Sequence, residues 1–213
     1  MGYKIISIGH ACQVKHTIDR FFMKQETNFF DWLFTDFKSV LYVLKRINNP
    51  KSFISRNKFI CSKSKHADGC HNIEHRDFKM VASHDFPLSI PWLHTLPSFI
   101  DKYIRRLHRL KNIIQGAENV HMVHCIDHQY REGYFITNED ITEFFEYINV
   151  LNPNNKVYLH IAVPPKYNSV SLNHLIQDKV YVYYLIDTKQ GKNDWTNENF
   201  NWNIIFDNIK SIS

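Results

Sequence analysis

The sequence predicts a single α/β domain on a mostly parallel, Rossmann-like sheet flanked by helices. Short apolar runs of strand length alternate with amphipathic segments long enough to serve as crossovers. Only 6 Gly and 7 Pro among 213 residues leave no linker-like stretch, so residues 1–213 read as one unit. With 44% hydrophobic and 15% aromatic residues, the chain can fill a sizeable core, which speaks against disorder.

Each element follows from its pattern. Residues 4–8 form an apolar run broken at Gly9, and a helical pattern follows over 12–22. Val40, Leu41, Val43, Leu44 and Ile47 recur at helical spacing and predict a helix over 37–47. Residues 78–82 read as a strand ending at Ser83-His84-Asp85. Phe99, Ile100, Ile104, Leu107, Leu110 and Ile114 make one stripe of a helix over 97–114, and 120–126 form the next strand. A helix over 138–150 starts at a capping Asn138 with Glu139 and Asp140 in its first turn. Residues 156–163 are a strand stopped by Pro164-Pro165, a short helix covers 172–176, and 180–186 is a strand. A helix over 202–209 comes last.

A parallel sheet places ligands beyond the carboxyl ends of its strands. That geometry would gather residues 9–12, 83–85, 125–128, Pro164-Pro165 and Asp187-Thr188 on one rim. Within this set Cys12 is the most telling residue, because a thiol at a strand-to-helix turn meets unpaired amides and the positive end of the helix dipole. Both favour the thiolate, making Cys12 a candidate nucleophile; the alternative is a small buried hydrophobe at a tight turn.

Composition bounds the rest. The net charge is +5, and the basic residues concentrate on a helix face around Lys102, Arg105, Arg106, Arg109 and Lys111. One basic face without a groove of stacking aromatics reads as solvated, so nucleic acid is not an expected partner. The four scattered cysteines do not suit a disulfide-stapled secreted fold, the amino-terminal apolar stretch is too short for a signal peptide, and no run reaches membrane-spanning length. A cytoplasmic protein without a membrane anchor is expected. The wealth of Asn, Lys, Ile, Phe and Tyr suits an AT-rich genome such as that of a large DNA virus or a low-GC bacterium.

Four separated stretches carry a resemblance: residues 6–14, Phe30-Asp31-Trp32-Leu33-Phe34, His84-Asp85-Phe86, and 103–109. In order and approximate separation they resemble a family, with bacterial and large-DNA-virus members, of papain-like cysteine peptidases. The resemblance implies Cys12 as nucleophile and His84 as base, with Asp31 or Asp85 orienting the ring. Asp85 is the poorer orienter, since adjacent residues of a strand point to opposite faces. Oxyanion donors would be the Cys12 N–H and Gln13, and Trp32, Arg105, Arg109 and His128 would contact substrate. A papain-like architecture also implies that the histidine comes from an antiparallel half, in conflict with the strand–helix alternation. The alternation is taken for the fold, since a catalytic constellation is defined by geometry rather than architecture.

A second constellation, Cys61, His66, Cys70, His71 and His75, occupies a polar insertion over 55–77 around an Asp68-Gly69 turn. Cys61, His66, Cys70 and His75 could wrap a tetrahedral zinc, although the paired Cys-x-x-Cys knuckles of standard sites are missing; the alternative is a polar hairpin or loop. No other cofactor is expected, as Gly9 lacks the further glycines of a dinucleotide turn. A third cluster, His121, His124, Cys125, Asp127 and His128, straddles a strand end, with His124 and Cys125 sent to opposite faces.

The leading expectation is a cysteine-dependent hydrolase or acyltransferase acting on a peptide, acyl or glycan substrate. Its rival is a non-catalytic or group-transfer protein whose sheet rim holds a sugar or phosphate-bearing ligand.

Overall fold

The computed structural model describes residues 2–9, 12–22, 26–66, 69–126, 135–154, 156–167, 169, 171–188 and 199–212. In chain order the elements are β1 (Tyr3–Ser7), α1 (Cys12–Phe21), β2 (Leu33–Thr35), α2 (Phe37–Arg46), β3 (Phe59–His66), β4 (Cys70–His75) and β5 (Met80–Ala82). They continue with α3 (Trp92–Gln115), β6 (Asn119–Cys125), α4 (Asn138–Leu151), β7 (Val157–Val163), β8 (Val180–Tyr184) and α5 (Asn203–Ile212).

The four expected parallel strands pair in the order β1-β6-β7-β8, every pairing parallel. Alternation along β6 divides its side chains between two layers. Val120 and Met122 join α2, α3 and α4 on one face, while Val123 and Cys125 join α1 and α5 on the other. Strands buried on both faces read as near-continuous apolar runs, which is why the sequence showed them. The strand order has no reversal, so the sheet lacks the switch point of a doubly wound Rossmann sheet.

A second sheet, antiparallel and ordered β2-β5-β4-β3, departs from the alternation rule. The polar 55–77 stretch contributes the β3–β4 hairpin, which turns at Gly69 in the left-handed region (φ 74°) and shifts register between Cys61 and Lys65. The strand expected over 78–82 exists as β5, yet it pairs with β2 and β4 rather than with a parallel neighbour. One apolar cluster joins the sheets, running from Ile73, Met80 and Ala82 to Ile6 and Met122.

The last helix runs Asn203–Ile212 rather than over 202–209, and the starts of α3 and α4 also depart from expectation. α3 begins at Trp92, so that Pro97 lies inside the helix rather than at its start. The cap of α4 is Thr137: its hydroxyl accepts the Asp140 N–H at 3.3 Å while the Asp140 carboxylate accepts the Thr137 N–H at 3.0 Å.

On the α1/α5 face a polar chain crosses the sheet. His121 Nδ1 lies 3.0 Å from His160 Nε2, His160 Nδ1 lies 2.9 Å from the Tyr183 hydroxyl, and that hydroxyl donates to Asn208 Oδ1 on α5 at 2.9 Å. The donor at the Asn208 end orders the rest: Tyr183 accepts from His160 Nδ1–H, leaving His160 Nε2 to accept from His121 Nδ1–H. Burial holds both rings below the ordinary histidine value. Among the described residues, no helix is long and apolar enough to cross a membrane.

Candidate active site

β1 delivers the thiol. Its end is tied to β6 by Ile8 N–H to the Val123 carbonyl (2.9 Å) and by Cys125 N–H to the Gly9 carbonyl (3.3 Å). Gly9 adopts φ 102°, a conformation that L side chains rarely take, and α1 begins three residues later at Cys12. The sulfur therefore stands at the positive end of the helix dipole.

The histidine comes from the other sheet. His84 follows β5, whose two neighbours hold it from both sides, and its Nε2 lies 3.2 Å from the Cys12 Sγ. The thiol is 5% exposed while the imidazole is exposed, so the pair opens to solvent on the ring side. Trp32 meets the same ring edge-on, centroids 6.2 Å apart at 86°. It does so from a left-handed backbone, φ 68°, at the residue before β2. The histidine is thus supplied by an antiparallel sheet, as the family resemblance implied, and not by a parallel strand end, as the alternation implied.

The two candidate acids have distinct surroundings. Asp31 is buried; its Oδ2 accepts the Asn28 N–H at 2.7 Å, and its Oδ1 has no hydrogen-bond partner among the described residues. Burial pushes this carboxyl up to about 7, opposed by the Asn28 bond and by the charges of Lys15 and Arg106. Asp85 faces α3, where it accepts from the Lys102 ammonium and from the Tyr103 hydroxyl at 3.4 Å. It anchors the loop that carries His84.

Gln13 is buried, and its amide donates to Cys125 Sγ at 3.5 Å. Burial pushes the Cys125 thiol up to about 12, which separates it chemically from Cys12. His124 packs on Phe37 and hydrogen-bonds the Ile8 carbonyl at 3.2 Å, on the face opposite Cys125. His128 and Asp127 lie outside the described residues.

The basic helix splits its work. Arg106 donates to the Asp31 carbonyl at 3.3 Å, and Arg109 donates to the Thr27 carbonyl and pairs with Glu26 at 3.2 Å. These arginines hold the segment leading to Trp32. Arg105 instead lines a groove with Tyr3 and Lys4 at the amino end of β1, whereas Cys12 follows its carboxyl end. Sequence reasoning missed Asn28; an Asn three residues before an Asp is the local signal that could have found it.

Of the zinc candidates, His75 is taken up by the fold itself. Cys61 Sγ lies 3.6 Å from His71 Nδ1, but His75 donates from Nε2 to the Phe53 carbonyl at 2.7 Å and accepts the Asp77 N–H on Nδ1 at 3.1 Å. No lone pair of that ring is left for a metal. Cys70 sits at the start of β4, and the His66 side chain lies outside the described residues. Among the described residues, no three metal-ligating side chains converge.

A thiol at a helix start, 3.2 Å from an imidazole carried by a separate sheet, can exchange a proton and act as a nucleophile. No curated protein and no solved structure matches the chain. The family model described as Putative papain-like cysteine peptidase (DUF1796) matches residues 3–133, more than half of the chain and the whole stretch from β1 through Cys12, His84 and α3 to β6. The chain belongs to that family.

Proposed function

We propose that the protein is a cysteine-dependent hydrolase, with Cys12 as nucleophile and His84 as acid and base. The observation that carries this reading is the 3.2 Å approach of His84 Nε2 to Cys12 Sγ across two sheets. His84 takes the thiol proton, and the thiolate attacks the carbonyl carbon of an ester, thioester or amide. The oxyanion that forms takes a hydrogen bond from the backbone at the start of the helix, and Cys12 standing as the first residue of α1 supports this role. As the tetrahedral intermediate collapses, the leaving group takes the proton from His84 and an acyl-cysteine remains. Water attack on that acyl group, with His84 again accepting a proton, gives a hydrolase; attack by an amine or alcohol gives an acyltransferase. Peptide, acyl and glycan esters all offer such a carbonyl.

The test is thiol labelling read by mass spectrometry. Iodoacetamide near neutral pH should modify Cys12 ahead of Cys61, Cys70 and Cys125, and His84→Ala should slow that labelling about tenfold or more. A p-nitrophenyl ester should give a burst of p-nitrophenol and an acyl adduct on Cys12. An inert Cys12 in folded protein overturns the reading and leaves a ligand-binding protein in its place.

A further inference from the structure

The exposed side of α3 forms one wall of an open groove of about 920 Å³, separate from the catalytic pair, neither member of which lines it. Arg105, His108, Arg109 and Asn112 stand on it at helical spacings of three and four, so their side chains form one stripe. The other walls come from the amino end of β1, from Phe22 just past the end of α1, and from Asn28.

The charges in the groove do not cancel. Glu118 pairs with Lys4 at 3.5 Å and Glu26 with Arg109 at 3.2 Å, so each acid is already matched by a base. Arg105 and His108 are both exposed, and among the described residues neither has a hydrogen bond or ion pair. Arg105 is therefore a surplus cation with five donors, beside an imidazole whose ring N–H can donate to an anion. In the same wall stands Asn28, 3% exposed, whose Oδ1 has no hydrogen-bond partner among the described residues. An unpaired amide oxygen is a standing cost that a hydroxyl donor would remove.

We infer that this groove binds a small phosphomonoester bearing hydroxyl groups. Arg105 and His108 hold the phosphate, and Asn28 accepts from a ligand hydroxyl after a small rotation of its amide. Two sources share this chemistry: a sugar phosphate and a nucleoside monophosphate.

Calorimetric titration of the full chain with inorganic phosphate, ribose 5-phosphate and adenosine 5′-monophosphate tests it. Ribose 5-phosphate should bind more tightly than phosphate, and affinity should fall with added salt. Adenosine monophosphate binding more tightly still identifies a nucleotide site; equal affinities identify a sugar-phosphate site. Arg105→Ala should weaken binding at least about tenfold, and Arg105→Glu should abolish it. Both are surface changes that should leave the melting temperature in place, and Cys12→Ala should bind as the unaltered chain does. The inference is overturned if none of the three ligands binds at millimolar concentration. It is equally overturned if binding survives Arg105→Glu, or if His84→Ala abolishes it, which would put the ligand at the catalytic pair.

Discussion

A methyl group on Gly9 would stand 2.5 Å from the Thr35 hydroxyl, so the turn that ends β1 lies directly against β2 of the other sheet. The contact sits three residues before Cys12, the first residue of α1. Gly9→Ala meets both this contact and the strained φ of 102°, and should cost about 2 kcal/mol or more in chemical denaturation. It should also slow Cys12 labelling. Thr35→Ala on its own should be close to neutral, because the hydroxyl it removes is buried with no partner among the described residues. Combined with Gly9→Ala it should recover the part of the loss due to the contact and leave the part due to φ. An unchanged midpoint for Gly9→Ala would show that the turn adapts freely.

Trp32 presents its ring to His84 from a backbone that only glycine adopts without cost, about 1–2 kcal/mol for other residues. Replacement by Gly and by Ala should therefore rank opposite to the usual order. Trp32→Gly should be the more stable of the two by about 1 kcal/mol, while both lose the edge-on contact and label Cys12 more slowly. Thermal melts and labelling rates on the two variants check both halves, and a more stable Ala variant would show that the backbone relaxes once the ring is gone.

How much of this was legible in the sequence depends on what stabilises each element. β6 and β7 are buried on both faces, so their own residues announce them; the helical stripes of α2 and α3 do likewise. β2 and β5 have three residues each and exist through their pairing with neighbours, while β3 carries Ser and Lys residues and an irregular register. No periodicity survives in such pieces. The Cys12–His84 pair was legible as chemistry, through the family resemblance, but its route was not, since His84 arrives from the sheet that the pattern hid. The partners of Asp85 and Gln13 lie on α3 and β6, and local sequence carries no trace of such choices.

The buried His121–His160 pair should make the fold acid-sensitive. Burial lowers His121 to about 4, and burial together with the His121 charge lowers His160 to about 3, against an ordinary 6.5. Since the unfolded rings take up protons first, stability from these groups is complete above pH 6.5 and is lost as pH falls toward the folded values. By pH 4 the loss is about 3 kcal/mol per ring if the two titrate independently. The double substitution His121→Phe with His160→Phe should flatten the acid limb of a denaturation-against-pH curve. A limb of unchanged slope would assign acid lability to other groups.

Asp31 should act in the opposite sense. Its folded value of about 7 lies above the ordinary 3.8, so the native state keeps a proton that the unfolded chain has released. Stability from this group is present below pH 3.8, declines as pH rises, and is fully lost above pH 7. Asp31→Asn keeps an acceptor for the Asn28 N–H and has no charge to bury. It should exceed the unaltered chain by roughly 2–4 kcal/mol at pH 8 and by much less at pH 4.5. Because Asp31 and the histidine pair pull in opposite directions between pH 4 and 6.5, the two effects separate only in the variants. A buried carboxylate that lowers stability at neutral pH, one residue from the ring that contacts His84, is the pattern of a group retained for chemistry. Asp31→Asn should accordingly be the more stable protein and the slower one in Cys12 labelling. Equal labelling rates would make Asp31 a structural residue and leave its burial without a catalytic reason.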